Sequence, residues 1–165
     1  MKTRILAALC VLILTAHANA DQVVEKLNGW NLMSTVDPFD DEASYSVSKG
    51  TNKKLIMLFC GAKPNNDINI MFETDEYIGS NYDQYSARLR IDSDDVLNLN
   101  VDVDGQLAFL AGGPQVSLIM MEMSKGKELY FRALTYDKGS ANLQLDLTGA
   151  LEAITWLKTK CDYLT

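Results

Sequence analysis

Histidine and cysteine, two residue types that often perform chemistry in proteins, are scarce in this chain. Its single histidine, His17, and one of its three cysteines, Cys10, both lie in the first 20 residues. That stretch has a basic start, a short apolar run and an Ala-Asn-Ala cleavage site, which together predict a secretory signal peptide. We therefore expect a mature chain of residues 21–165 with two cysteines and no histidine.

The absence of histidine from residues 21–165 excludes several kinds of catalytic site. Ser-His-Asp and Cys-His nucleophilic sites cannot be built within this chain, and neither can histidine-ligated zinc, copper or iron sites. Two cysteines are too few to complete a structural zinc site. The many carboxylates leave open a hydrolase that uses carboxylates alone, but no pair of them is set apart by its position. We therefore expect a protein that is not an enzyme and has no cofactor.

The two remaining cysteines, Cys60 and Cys161, have a single connectivity open to them. An exported chain enters an oxidising compartment, where cysteine pairs form disulfides. Their separation of 101 residues is unlike the Cys-x-x-Cys spacing of redox proteins, so we predict a structural disulfide. Closing a loop of that length stabilises the fold by roughly 4–5 kcal/mol in the chain-entropy model.

Export also indicates where the protein acts and what it meets there. We expect a periplasmic or secreted protein of a Gram-negative bacterium. Cys10 lies inside the apolar run rather than after it and no second apolar span follows, so no stable membrane anchor is expected. Removal of Lys2 and Arg4 with the signal peptide takes the formal net charge from −7 to −9. That charge disfavours nucleic acid and favours a basic partner, and the oligomeric state stays open.

Two acidic and aromatic segments in predicted loops are the candidates for contact with a partner protein. Tyrosine is a frequent contact residue in protein interfaces. The alternative is that these tyrosine rings cover the edge of the sheet. The candidate residues are Asp37, Phe39, Asp40 and Asp41 in the first segment and Glu73, Tyr77, Tyr82 and Tyr85 in the second.

A third acidic segment, Asn100–Gly105, matches the start of an EF-hand calcium loop. Ala111, however, occupies the position where that loop requires a bidentate glutamate. An Asp-Gly pair between alternating apolar residues is instead typical of a hairpin turn. We predict the hairpin and no metal site. Carboxylates at one end of a sheet remain weak calcium candidates, and those here are Asp92, Asp94, Asp102 and Asp104.

The elements that must position these residues are mainly β-strands. Alternating and continuous apolar runs predict about seven antiparallel strands between residues 43 and 147, with a long surface loop over residues 74–83. We also predict a short helix over residues 21–32, because four apolar residues recur there at helical spacing, and a second helix over residues 114–123.

The last predicted helix begins after Thr148, which can act as its N-cap. Ala150, Ile154, Leu157 and Cys161 then fall on one stripe of the helix, so the cysteine should point into the core. The expected fold is therefore an α+β domain over residues 21–165, mainly antiparallel β. Its sheet or sandwich of about seven strands carries a C-terminal helix that one disulfide pins in place.

A set of short segments follows a recognisable order over nearly all of residues 21–165. The segments are Trp30, Asp37–Asp41, Leu58, Cys60, Ile68–Ile70, Tyr77–Gly79, Tyr85, Arg88, Glu128, Leu129, Arg132, Leu147–Ile154 and Cys161. In the order of these segments the chain resembles the VasI/TagO-like periplasmic proteins associated with type VI secretion. The resemblance implies an accessory or binding role and carries over no catalytic residue.

These observations favour a non-enzymatic periplasmic accessory module that binds a protein, in the setting of type VI secretion or the cell envelope. The alternative is an immunity protein or inhibitor that neutralises a basic toxin or lytic enzyme, since such a protein would also be acidic and held by a disulfide. A hydrolase that uses carboxylates alone is the third hypothesis.

Overall fold

The part of the chain that the structure describes contains ten β-strands and two α-helices. The structure is a computed structural model that describes residues 22–51, 53–61 and 67–161, with the backbone alone for residues 22, 23, 81 and 82, so the predicted signal peptide lies outside it. The strands are β1 (Gln22–Leu27), β2 (Trp30–Val36), β3 (Ala43–Thr51), β4 (Lys54–Cys60), β5 (Asn69–Glu73), β6 (Gly79–Ile91), β7 (Leu97–Gly105), β8 (Leu107–Leu110), β9 (Glu128–Leu134) and β10 (Ser140–Asp146). The helices are α1 (Pro114–Met123) and α2 (Ala150–Lys160).

All ten strands form one antiparallel sheet in the order β1-β2-β3-β4-β5-β8-β7-β6-β9-β10. The first five strands form a meander, after which β5 pairs with β8 instead of β6. The prediction of a mainly antiparallel fold with a C-terminal helix is confirmed. The predicted number of about seven strands is wrong, chiefly because the first 15 described residues also pair as strands.

Residues 22–36 form a hairpin where a short helix was predicted. The turn between β1 and β2 is Asn28-Gly29, and both residues have positive φ, 49° and 84°. Asn-Gly is the favoured pair for such a two-residue hairpin turn, and it outweighs the helical spacing of the apolar residues. Trp30 and Leu32 then alternate into the core on β2.

The sheet folds back on itself and buries one face of both halves. Phe72 on β5 stacks on Phe131 on β9, with ring centroids 4.1 Å apart and planes 5° from parallel. Where the halves meet, the indole N–H of the buried Trp30 donates to the carbonyl of Thr148 at 3.1 Å. The architecture is therefore sandwich-like, with opposite surfaces of the sheet facing outward.

Both helices pack through the faces that the sequence predicts. Helix α1 buries Val116, Ile119, Met120 and Met123, and α2 buries Ala150, Ala153, Ile154 and Leu157. The N-cap of α2 is Gly149, in a left-handed conformation, and not Thr148 as predicted. The Thr148 hydroxyl instead donates to the Asp146 carboxylate at 2.7 Å. Neither helix in the described part of the chain is long and apolar enough to cross a bilayer.

The predicted disulfide is present and joins Cys60, the last residue of β4, to Cys161 at the end of α2. Their Cα atoms lie 6.1 Å apart, and both side chains are buried. The bond therefore pins the C-terminal helix to the sheet, as expected.

Candidate functional site

The outer sheet surface carries a row of two arginines between two asparagines. Arg88 on β6 lies opposite Arg132 on β9, Asn98 on β7 is the other neighbour of Arg88, and Asn142 on β10 is the other neighbour of Arg132. Arg90, two residues along β6, points to the same side. We call the exposed surface of β7, β6, β9 and β10 around these side chains the arginine face.

The strand period explains why the arginines are exposed. Successive side chains of a strand point to opposite faces, so Ala87 and Leu89 enter the core and leave Arg88 between them on the outside. On β9 the buried Phe131 places Arg132 on the outside in the same way. The burial of the apolar residues therefore fixes the direction of the guanidinium groups.

Local contacts orient two of the three arginines. The Nε–H of Arg132 donates to Oδ1 of Asn142 at 2.7 Å, and the Asn142 amide in turn donates to the carbonyl of Ser140 at 3.1 Å. The Arg90 guanidinium lies over the Tyr130 ring, 5.1 Å from its centroid, in a cation–π contact. These contacts thus fix the directions of the Arg132 and Arg90 guanidinium groups.

The carboxylate of Glu128 on this face is engaged by neutral donors. It accepts hydrogen bonds from the Tyr130 hydroxyl and from the Gln144 amide, the latter at 2.5 Å. These bonds favour the charged carboxylate and hold the pKa of Glu128 below its ordinary value. The same bond to Glu128 raises the pKa of the Tyr130 hydroxyl, since it stabilises the protonated form.

The arginines have no carboxylate partner among the described residues. The ion pairs in that part of the chain all use lysine, and they are Lys49–Asp146, Lys54–Asp75 and Lys125–Glu122. Two like charges directly opposite each other on neighbouring strands destabilise a sheet. The pair Arg88–Arg132 is therefore a concentration of positive charge on a chain whose overall charge is negative.

Two hollows open on the arginine face, with volumes of about 720 and 520 Å³. Arg88 and Arg132 line both of them, so the hollows adjoin at the arginine row. Lys138 extends the positive charge in the larger hollow, whereas the charge of Lys54 in the smaller hollow is paired with Asp75 at 3.0 Å. The arrangement suits an elongated anionic ligand better than a small enclosed one.

An exposed apolar corner lies at one end of this face. Leu134, which lines the larger hollow, is 52 % exposed, and the next aromatic residue, Tyr136, is 66 % exposed. The ring of Tyr136 meets that of Tyr77 edge to face, with centroids 5.5 Å apart. Tyr77, a predicted contact residue, is thereby brought close to the end of β9.

The first predicted contact segment forms the turn between β2 and β3. Oδ1 of Asp37 accepts the Phe39 backbone N–H at 2.8 Å, and Oδ1 of Asp40 accepts that of Glu42 at 3.0 Å. Asp41 has a positive φ of 57°. The side chain of Phe39 is 93 % exposed, so the turn presents an aromatic ring among carboxylates.

The second predicted contact segment is only partly a loop. The predicted loop over residues 74–83 is wrong in length, because β6 begins at Gly79. The short connection is held to the β7–β8 turn, where Thr74 and Ile78 donate backbone N–H groups to Gln106 and Gly105 at 3.0 and 2.8 Å. Tight backbone pairing therefore replaces the expected long surface loop.

The remaining predicted residues of the second segment separate into different environments. Glu73 ends β5, and Tyr85 lies in β6 with its ring packed against the core. That ring also fills the space above Gly79, where a Cβ would come within 2.6 Å of it. Tyr82 lies on β6, and its side chain is outside the described part. Tyr85 thus fits the alternative that tyrosine rings cover the sheet.

The structure does not bring the four calcium candidates together. Asp92 and Asp94 follow the end of β6, whereas Asp102 and Asp104 lie near the end of β7, at the other end of this antiparallel pair. Asp92 accepts the backbone N–H of Glu128 at 2.8 Å, which is a structural role. The described residues contain no group of three or more His, Cys, Asp or Glu side chains that could hold a metal ion.

The sequence predictions did not include the arginine face as a site, although a signal was present. Arg88, Arg90 and Arg132 are all the arginines of residues 21–165, and each lies in a strand with alternating apolar residues. That combination places every arginine on the outside of the sheet. The sequence pattern does not indicate, however, that β6 and β9 are neighbours in the sheet.

Comparison with known proteins bears on the fold. No family model matches this sequence, and no curated protein sequence matches it significantly. Among solved structures, the chain is similar to invasion associated protein B from Bartonella henselae, with a TM-score of 0.55 and 12 % sequence identity. The match covers 86 % of this chain and 98 % of that one. The likeness is one of fold.

Proposed function

We propose that the protein is a non-enzymatic exported module that binds a partner protein through the arginine face and the adjoining Tyr77–Tyr136 pair. The observation that carries the proposal is the opposition of Arg88 and Arg132 without a carboxylate partner in the described chain. A partner that supplies carboxylates would convert this repulsive pair into a pair of charge-assisted hydrogen bonds.

The composition of the surface supports a protein as the partner. Arginine and tyrosine are enriched among the residues that carry most of the binding energy in protein interfaces. Here an exposed tyrosine pair lies next to an exposed arginine row. In the sequence, Leu134 stands between Arg132 and Tyr136. The interface would thus have both an apolar anchor and a charged, hydrogen-bonding part.

An accessory role at the cell envelope is the setting we propose for this binding. The expected signal peptide and the disulfide fit an oxidising compartment. The fold is similar to that of invasion associated protein B. A fold by itself, however, does not define a function. The resemblance to VasI/TagO-like proteins makes type VI secretion the first system in which to look for the partner.

Capture of partners from the periplasmic fraction of the source bacterium tests the proposal. Immobilised residues 21–165 should retain a protein in stoichiometric amount, and the double variant Arg88→Gln/Arg132→Gln should lose it. Lys26→Gln/Lys160→Gln removes two exposed positive charges on β1 and α2 and should retain it. A chain that retains no protein but degrades cell-wall glycan would overturn the proposal in favour of an enzyme.

The second candidate function is inhibition of a basic toxin or lytic enzyme, and the turn at Phe39 favours it. An exposed aromatic ring on a turn that is held by its own aspartates is suited to insertion into a cleft of a basic protein. Under this function Phe39→Ser abolishes capture of the partner, whereas the arginine variant leaves it intact. The two functions thus predict opposite outcomes for the same two variants.

A further inference from the structure

The spacing of the arginines defines what an anionic ligand must look like. Neighbouring strands lie about 4.8 Å apart, so Arg88 and Arg132 are separated by about one strand spacing. Arg88 and Arg90 lie on one strand two residues apart, which is about 6.7 Å. Side chains on one side of an extended peptide repeat at the same interval of about 6.7 Å. Carboxylates at alternate positions of an extended chain therefore match the arginines of β6.

The amides beside the arginines suit a peptide backbone. The Asn98 amide ends the row on β7, whereas the amides of Asn142 and Gln144 are engaged by Arg132, Ser140 and Glu128. A primary amide offers both N–H donors and a carbonyl acceptor. A peptide likewise presents both kinds of group, whereas a phosphate or sulfate cluster presents acceptors alone. The mixture of guanidinium and amide groups therefore favours a polypeptide over a simple polyanion.

The apolar corner gives the ligand a direction. Leu134 and Tyr136 lie beyond Arg132 along β9, so an apolar residue of the ligand at that end can contact them while its carboxylates reach the arginine row. The net negative charge of the rest of the chain disfavours acidic ligands elsewhere on the surface. An acidic segment is thus directed to this face.

We propose that the arginine face binds an extended acidic segment of the partner, with carboxylates at alternate positions on Arg90 and Arg88, Arg132 beside Arg88 on the same carboxylate, and an apolar residue at the Leu134–Tyr136 corner. This rests on the proposed function and specifies the chemistry of its partner. Guanidinium groups form paired hydrogen bonds with carboxylates, which gives the contact its geometry.

Fluorescence anisotropy with defined peptides tests this proposal on oxidised residues 21–165. The probe is a labelled peptide that ends in Glu-Thr-Glu-Thr-Phe, so that two alternating glutamates precede the phenylalanine. A peptide of the same composition with adjacent glutamates is the spacing control. We expect the alternating peptide to bind at least about fivefold more tightly than the control, since only its carboxylates share the interval of the arginines.

Variants separate recognition by the arginine face from general charge effects. Arg88→Gln/Arg132→Gln should weaken binding of the alternating peptide by at least about tenfold, because it removes two charge-assisted contacts. Lys26→Gln/Lys160→Gln should change it by less than about twofold, because Lys26 lies on β1 and Lys160 on α2, away from this face. Equal losses in both double variants, or no binding by the unaltered chain, would overturn the proposal. Thermal melts of each variant check that the fold is retained.

Polygalacturonate provides the comparison with an anionic glycan. If polygalacturonate binds the unaltered chain more tightly than the peptide does at equal carboxylate concentration, the face is a glycan site. The proposal of an acidic protein segment as the ligand is then wrong. If periplasmic capture of a protein succeeds but is insensitive to the arginine variant, this proposal fails while binding of a partner protein stands. If no protein is captured at all, the proposed function itself fails.

Discussion

The Lys49 ammonium group lies 2.7 Å from the Asp146 carboxylate, so an ion pair joins β3 to β10 across the closure of the sheet. The same ammonium group donates to the carbonyl of Thr148 at 2.8 Å and lies 5.9 Å from the centroid of the Trp30 ring. Its side chain is 14 % exposed, whereas that of Asp146 is 63 % exposed. These contacts complete the join between the two halves of the sheet.

The join predicts a specific dependence of stability on pH. The hydrogen bond from Lys49, followed by those from Thr148, lowers the pKa of Asp146 from 3.8 to about 2. Because the pKa is lower in the folded state, the stabilisation is present above pH 3.8 and is lost as the pH falls towards 2. We expect Asp146→Asn to reduce the free energy of unfolding at neutral pH by about 1 kcal/mol or less, since the carboxylate is largely exposed.

Urea unfolding of the unaltered chain and of Asp146→Asn between pH 2 and pH 7 measures this effect. The difference between the two chains should be nearly constant above about pH 5 and should shrink as the pH falls through 3.8 towards 2. Because both chains contain the same other carboxylates, the effect of their titration cancels in the difference. A difference that does not vary with pH would show that Asp146 acts through packing and not through its charge.

The opposed arginines predict a gain in stability when one of them is removed. Arg88→Gln keeps a long polar side chain but ends the repulsion from Arg132, so the free energy of unfolding should rise by about 0.2–1 kcal/mol. The gain should shrink at high salt, because screening already weakens the repulsion in the unaltered chain. Urea unfolding at low and high salt measures it, and Lys26→Gln, away from the arginines, should show no comparable gain.

The disulfide predicts equal effects of two distant substitutions. Cys60→Ser and Cys161→Ser each remove the same covalent bond, so each should lower the free energy of unfolding by roughly 4–5 kcal/mol in the chain-entropy model. The double variant should be about as stable as either single variant, apart from the cost of burying a second hydroxyl. Thiol titration of unfolded, unreduced residues 21–165 should find no free thiol, and one thiol per chain would contradict the pairing.

Two glycines form a matched pair that tests the packing where the sheet closes. Gly149 and Gly105 both have positive φ, 84° and 66°. A Cβ at Gly149 would lie 2.4 Å from Cβ of Asn28 and 2.9 Å from its carbonyl oxygen, whereas a Cβ at Gly105 meets nothing within 4 Å. Alanine at Gly105 should therefore cost about 1–2 kcal/mol through its backbone alone.

Alanine at Gly149 should cost about 3 kcal/mol or more, because overpacking adds to the same backbone strain. Urea unfolding of both variants gives the comparison. Equal losses would mean that the hairpin turn at Asn28 shifts to accommodate the methyl group, and that the closure is less tightly packed than the distances indicate.

The parts of the fold that the sequence predicted depend on local signals. The buried stripe of α2 follows from residues that are close together in the chain. The two cysteines of residues 21–165, Cys60 and Cys161, allow a single connectivity. The hairpin of β7 and β8 was predicted from Asp104-Gly105, and the structure places its turn one residue later, since Asp104 pairs with Leu107. Each of these features needs no knowledge of the strand order.

The first hairpin could not be predicted from periodicity, because two local signals conflict there. The apolar residues from Val23 to Trp30 satisfy a helical spacing, while Asn28-Gly29 is a turn signal that the helix reading passes over. The turn prevails because it lets Trp30 enter the core on β2, where a large buried surface stabilises the strand.

The arginine face depends on a contact that no local pattern reveals. Arg88 and Arg132 are 44 residues apart, and they meet because β6 pairs with β9 on the side opposite to β7. A shift of one residue in that register would place Arg132 in the core. The site is therefore a product of strand order and register, which the sequence patterns left open.

The bond between Cys60 and Cys161 also limits how the oxidised chain can be moved. A force on the two ends extends only the segments outside the bond, so the 101-residue separation remains a closed loop. The bond therefore prevents roughly 340 Å of contour length from being extended, at about 3.4 Å per residue. A pore that threads single chains would have to admit two strands side by side. An oxidised chain therefore cannot pass through a pore that admits only one extended strand.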